Sequence, residues 1–108
     1  MAVLFSGKIW LLNIFVKPYT EQVLEQHGTG LNYIVRTFSS DVAEEELVWH
    51  RDRTNRRIHI LGGQGWQLQF DDKLPEELIV GHDYYIQKMT YHRIIKGEND
   101  LIIRIENI

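Results

Sequence analysis

The sequence predicts an all-β fold, an antiparallel sandwich or a closed barrel. Short segments of apolar or alternating character recur at intervals of about ten residues, which is typical of such folds. Turn signals separate these segments, and the tightest of them is Gly62-Gly63-Gln64-Gly65. Only one segment has the marks of a helix. At 108 residues the chain is predicted to form a single domain over residues 1–108.

The N-terminal third is predicted to hold two strands with the helix between them. Lys8–Val16 is rich in Ile, Leu, Trp and Phe, as in a strand that is buried on both sides. Thr20–His27 is predicted to be the short N-terminal helix, because Thr20 suits an N-cap and Gly28 suits a stop. Leu31–Phe38 follows as the second strand.

The rest of the chain supplies the remaining strands. Arg56 and Ile58 are expected to share one face of their strand, with Arg57 on the other, since side chains alternate along a strand. Leu74–Glu77 is expected to be an irregular crossing. The predicted strands are Leu47–Arg51, Arg56–Leu61, Trp66–Phe70, Tyr84–Lys88, Thr90–Ile95 and Leu101–Glu106.

Composition and motifs argue against several classes of function. A net charge of −3 gives no basic footprint for nucleic acid. The absence of cysteine removes disulfides, thiolate metal sites and cysteine nucleophiles. The Gly62–Gly65 turn leads into a strand instead of a helix, which argues against a phosphate-binding loop. Ala2–Val16 is shorter than the roughly 20 residues that span a bilayer, so we expect no membrane association and a cytoplasmic location.

Two groups of residues within 47–95 have the spacing of a known pair of motifs. The first group is His50, Asp52, Arg56 and Gly63, and the second is Gly81, Gln87, Met89 and His92. This spacing resembles that of the cupin superfamily, whose first motif has His-x-His, Glu and Gly, and whose second has Gly, Pro-x-Gly and His. His92 keeps a metal-ligand histidine, whereas Asp52 and Arg56 stand where the family has its second histidine and its glutamate.

The resemblance implies a double-stranded β-helix, that is, a jelly-roll barrel with a metal or ligand site in its mouth. The core motifs would lie in residues 47–95. The resemblance also implies a homodimer formed through the sheets. It transfers no single activity, because one fold hosts many unrelated functions.

The candidate metal ligands are His50, Asp52 and His92. In a strand, positions 50 and 52 project to the same side, and the resemblance brings the third residue from the opposite motif. Two histidines and one carboxylate suit Fe(II) with open positions for O2 or substrate. The expected cofactor is a divalent ion (Fe, Mn, Ni or Zn), or none.

Arg56 leaves two alternatives to the metal. Its guanidinium could close the pocket through a salt bridge with Asp52, which would leave a vestigial metal site. It could instead hold a carboxylate or phosphate of a small ligand, with further polar or aromatic groups in the wall. The predicted ligand-binding residues are Arg56, Gln69, Gln87 and Tyr85.

Two functions from different classes therefore follow. The first is a small protein that binds a metal ion or a small anionic ligand, and that acts as a metal-dependent oxygenase or isomerase if it is an enzyme. The second is a non-catalytic binding or assembly scaffold, which an outward-facing Trp49 and the apolar N-terminal strand would favour.

Overall fold

The computed structural model describes residues 17–25 and 32–108, which form two antiparallel sheets. The larger sheet has five strands in the order β1-β2-β8-β3-β6, and the smaller has three in the order β5-β4-β7. A single turn of 3-10 helix spans Glu44–Glu46. The strands are β1 (Thr20–Glu25), β2 (Asn32–Phe38), β3 (Arg56–Gly62), β4 (Gln67–Phe70), β5 (Glu76–Glu77), β6 (Asp83–Ile86), β7 (His92–Ile95) and β8 (Leu101–Asn107).

The core lies between the inner faces of the two sheets. In β3 and β8 alternate residues are buried, and Ile58 and Ile60 lie directly opposite Ile105 and Ile103. Leu68 of the smaller sheet belongs to the same buried cluster. Burying an aliphatic side chain stabilises the fold by about 1.5–3 kcal/mol. The predicted alternation of β3 is confirmed, and it places Arg56 on the cavity side with Ile58.

The helix predicted over Thr20–His27 is wrong in its described part. Thr20–Glu25 is a strand, β1, whose six residues pair with residues 32–37 of β2. Glu, Gln and Leu favour a helix locally, but the ladder with β2 satisfies the same backbone groups and overrides that weak preference. The rest of the predicted helix, like the predicted strand Lys8–Val16, lies outside the described residues.

Three further expectations need correction. Leu47–Arg51 is not a strand, and only His50 pairs there, in an isolated bridge. Leu74–Glu77 is not wholly irregular, because it contains the two-residue strand β5. The barrel is not closed, since no strand pairing joins the two sheets within residues 17–25 and 32–108, so the architecture is an open sandwich.

Among the described residues, no helix has the length and apolar character needed to cross a membrane.

Candidate functional site

A cavity of about 280 Å³ lies between the two sheets. Most of its wall is apolar, with Ile58, Ile86 and Ile103 on the larger sheet and Leu68 and Ile94 on the smaller. Its polar wall residues are Arg36, Glu46, His50, Asp52, Arg56 and His92. The cavity therefore combines an apolar interior with a small set of charged and titratable groups, as ligand pockets commonly do.

Backbone hydrogen bonds hold the two motif segments together at this cavity. The His50 amide donates to the His92 carbonyl at 2.9 Å, and the His92 amide donates to the His50 carbonyl at 2.8 Å. The Met89 amide donates to the Asp52 carbonyl at 2.7 Å. These three bonds bring His50, Asp52 and His92 together although His50 and Asp52 lie outside any regular strand.

Both imidazole rings are oriented through their Nδ1 atoms. Nδ1 of His50 lies 3.0 Å from the Val48 carbonyl oxygen, and Nδ1 of His92 lies 2.8 Å from the Thr90 carbonyl oxygen. Because a carbonyl oxygen only accepts, we assign a proton to each Nδ1, which then donates. In a neutral ring Nε2 then carries a free lone pair.

The two Nε2 atoms point toward one carboxylate. Nε2 of His50 lies 3.9 Å from Oδ1 of Asp52, and Nε2 of His92 lies 3.4 Å from Oδ2. One ligand atom from each of the three residues falls within 4.8 Å of the others. A histidine that binds metal through one nitrogen usually donates its other N–H to a carbonyl or carboxylate, as both rings do here.

Asp52 is an ionised carboxylate with an unsatisfied oxygen. Its side chain is 11% exposed, and Oδ2 is buried and makes no well-formed hydrogen bond to a described residue, its contact with His92 Nε2 being a long one of 3.4 Å. A weak hydrogen bond with the His92 side chain lowers the pKa of Asp52 most, and the charges of Arg56, His92 and His50 add to it, so the pKa lies below 3.8 although burial opposes the shift. A buried carboxylate oxygen without a donor is costly, so the donor set fits a cation placed at Oδ2.

Arg56 contacts Asp52 without forming a close hydrogen bond. Nη1 lies 3.6 Å from Oδ1, which is longer than the 2.7–2.9 Å typical of a charge-assisted bond. Nε of Arg56 is buried and has no hydrogen-bond partner among the described residues. The arginine therefore screens the carboxylate but does not occupy its hydrogen-bonding capacity.

The structure does not bring the other predicted ligand-binding residues to the cavity. Tyr85 is 53% exposed and Gln87 is exposed. Gln69 accepts a hydrogen bond from Arg93 Nε at 2.9 Å and donates to the Lys73 carbonyl at 3.2 Å, away from the cavity wall. The reason is strand alternation, because Ile86 and Leu68 take the inward positions next to Tyr85 and Gln69.

Sequence reasoning missed Arg36 in the cavity wall. Its guanidinium forms an ion pair with Glu21, with Nε donating at 2.7 Å, and lies 3.8 Å from the centre of the Tyr19 ring. Glu21 stands directly opposite Arg36 in the β1–β2 ladder. The Glu21–Arg36 pair was not predicted from the sequence, because a helix was predicted for the β1 segment.

No family model and no curated protein matches this sequence. Solved structures do match. Hydroxypropylphosphonic acid epoxidase from S. wedmorenis is 17% identical, with a TM-score of 0.64 over 86% of this chain and 52% of that one. The DMSP lyase DddQ from Ruegeria pomeroyi DSS-3 is 13% identical, with a TM-score of 0.67 over 95% of this chain and 52% of that one.

A third match has a length closer to that of this chain. A cupin-2 domain containing protein from Shewanella frigidimarina NCIMB 400 is 23% identical, with a TM-score of 0.58 over 90% of this chain and 88% of that one. The chain spans about half the length of the epoxidase and the lyase. At these identities the similarity shows the fold alone, and it confirms at that level the resemblance carried by the two motifs. The chain has the fold of the cupin superfamily.

Proposed function

We propose that this chain is a small metal-binding protein in which His50, Asp52 and His92 hold one divalent ion, drawn from Fe, Mn, Ni and Zn. The observation that carries the proposal is the convergence of two Nε2 atoms on a carboxylate whose Oδ2 makes no well-formed hydrogen bond to a described residue. Two lone pairs facing a carboxylate repel it unless a proton or a cation lies between them. A divalent ion there would satisfy all three residues at once.

Two histidines and one carboxylate leave coordination positions open, and such a set suits non-haem Fe(II) chemistry with O2 or substrate. A bound ion would act as a Lewis acid or a redox centre. The protein's own residues would bind and orient the substrate. Arg56 would orient an anionic group, and the aliphatic wall would exclude water. We therefore propose a metal-dependent oxygenase or isomerase as the class of enzyme.

The compared enzymes support this class of activity without defining it. One is an epoxidase of hydroxypropylphosphonic acid and the other is a DMSP lyase. Both share the fold with this chain at low identity.

The alternative is a binding scaffold whose vestigial metal site is closed by the Asp52–Arg56 pair. The 3.6 Å contact between these side chains favours this alternative, because the guanidinium neutralises the carboxylate. The same contact leaves Asp52 Oδ2 and Arg56 Nε without well-formed hydrogen bonds to described residues. A closed pocket would be expected to satisfy both atoms, so the metal is the better-supported proposal.

Elemental analysis tests the proposal. The purified protein would be measured as isolated and after incubation with Fe(II), Mn(II), Ni(II) and Zn(II), beside His50→Ala and His92→Ala. His82→Ala is the matched control, because His82 is exposed and does not line the cavity. We expect near-stoichiometric metal in the wild type and the control, and its loss in the other two variants.

A second readout is metal-dependent thermal stability. Metal at about 100 times its Kd stabilises a folded protein by about 2.7 kcal/mol. The melting temperature of the wild type should therefore rise with added metal, and that of His92→Ala should not. Absence of metal under every condition, or equal loading of all four proteins, would leave the closed pocket as the working description.

A further inference from the structure

Arg56, in the cavity wall, has N–H donors that make no hydrogen bond to any described residue, and its Nε is buried. Arg36, the other arginine of the wall, is already held by Glu21 and by the Tyr19 ring. A guanidinium offers five N–H donors in a planar fork that matches a carboxylate.

The surroundings of Arg56 are aliphatic. Ile86 lies directly opposite Arg56 in the β3–β6 ladder, and Ile58 follows on the same face of β3. Ile103 and Ile105 continue this surface on β8. No Ser, Thr, Asn or Gln side chain lines the cavity within the described part of the chain. The isoleucines beside Arg56 therefore suit a hydrocarbon chain better than a hydroxylated one, because burying apolar surface there is favourable.

The volume and the charge of the cavity limit the size and the charge of the ligand. A cavity of about 280 Å³ lies at the lower end of ligand-pocket volumes, which run from about 300 to 1,000 Å³, so it suits a small ligand. The Asp52 carboxylate lies 3.6 Å from the guanidinium, so the local charge favours a monoanion over a dianion.

From these observations we propose that the cavity binds a small aliphatic monocarboxylate. Its carboxylate accepts hydrogen bonds from Arg56, and its hydrocarbon chain packs on the isoleucines of β3, β6 and β8. The inference goes beyond the proposed metal site and does not depend on it, because the guanidinium and the aliphatic wall are present with or without an ion.

Calorimetric titration in the presence of a chelator tests the ligand class separately from the metal. The probes are butanoate, hexanoate and octanoate, with hexanol, gluconate and hexylphosphonate as comparators. We expect the affinity to rise about fourfold for each added methylene until the cavity is full. Hexanol lacks the charge, and gluconate lacks a hydrocarbon chain that could pack on the isoleucines, so both should bind at least about tenfold more weakly than hexanoate.

Arg56→Gln tests the role of the guanidinium. Arg57→Gln is the matched control, because Arg57 is the next residue in β3, faces the opposite side and pairs with Glu106 at 3.2 Å. Hexanoate affinity should fall by about 10- to 100-fold in the first variant and remain unchanged in the second. If Arg56→Gln folds poorly by circular dichroism, Arg56→Lys replaces it and should show an intermediate affinity.

Three results would overturn the proposal. They are an affinity that does not depend on chain length, equal affinities in Arg56→Gln and Arg57→Gln, and tighter binding of gluconate or hexylphosphonate than of hexanoate. Failure to load metal would count against the proposed metal site but would leave these expectations unchanged. Metal loading without carboxylate binding would reject this inference and keep the metal site.

Discussion

Replacing Gly97 by Ala should be the most damaging glycine substitution in the described part of the chain. A Cβ at Gly97 would come within 3.0 Å of the Gln64 carbonyl oxygen and of two Trp66 atoms, the backbone nitrogen and Cδ1. Trp66 is fully buried, and its indole Nε1 donates to the Asn99 carbonyl at 2.6 Å. The clash involves backbone and a fixed ring, so a small side-chain adjustment cannot relieve it.

We place the cost of Gly97→Ala at the upper end of overpacking penalties, about 3 kcal/mol. For a domain of this size that corresponds to a fall of roughly 10–20 °C in melting temperature. Gly81→Ala is the control, because a Cβ there meets nothing within 4 Å and only its φ of +88° is unfavourable. Strain of about 1–2 kcal/mol, partly offset by a less flexible unfolded chain, predicts a net loss of about 1 kcal/mol.

Urea unfolding and thermal melting, followed by circular dichroism, measure both variants. The comparison is informative because Gly81 belongs to the cupin-like motif and Gly97 does not. If Gly81→Ala proves as destabilising as Gly97→Ala, or more so, the packing argument around Trp66 is wrong.

Three other predictions concern the core and the site. Ile60→Ala should lower the free energy of unfolding by about 2–5 kcal/mol in urea titrations, because Ile60 is fully buried, and a loss below about 1 kcal/mol would contradict this packing. Met89 has a φ of +63°, so a β-branched residue there is strained, and Met89→Val should cost about 1–2 kcal/mol more than Met89→Ala in the same assay. The pKa of Asp52 is lowered in the folded state, so its stabilising contribution is present above the unfolded value of 3.8 and is lost as the pH falls through the folded value. In metal-free protein, the stability difference between wild type and Asp52→Asn should therefore shrink as the pH falls below 3.8, and a constant difference would refute the assignment.

Strand alternation made much of the larger sheet predictable. In the middle of β3 and along most of β8 the buried aliphatic residues alternate with others, so the sequence predicted the inward and outward faces. The β1 segment could not be read in this way. Its residues are good helix formers, none of its described side chains is buried, and its strand conformation depends on pairing with β2.

The candidate site was predictable in part for a similar reason. The spacing of His50, Asp52 and His92 identified residues that the fold brings together, because the spacing reflects backbone geometry. Tyr85 and Gln69 were proposed on chemistry alone, against the strand alternation that gives the inward positions to Ile86 and Leu68. The pairing register, which decides the residues opposite them, is not visible in the sequence. Arg57 opposite Tyr85, and Arg93 opposite Gln69, show this register in the structure.

The backbone also explains how the motif spacing persists while its residues change. Three hydrogen bonds between main-chain groups join His50 to His92 and Asp52 to Met89, and none of them requires a particular side chain. Met89 stands where cupins have glycine, and its φ of +63° is the conformation that glycine adopts most easily. The segment thus keeps the shape of the motif at a modest cost in strain. Substitutions at His50 and His92 should therefore remove ligand atoms without separating the two segments, so loss of metal from those variants would report on coordination and not on unfolding.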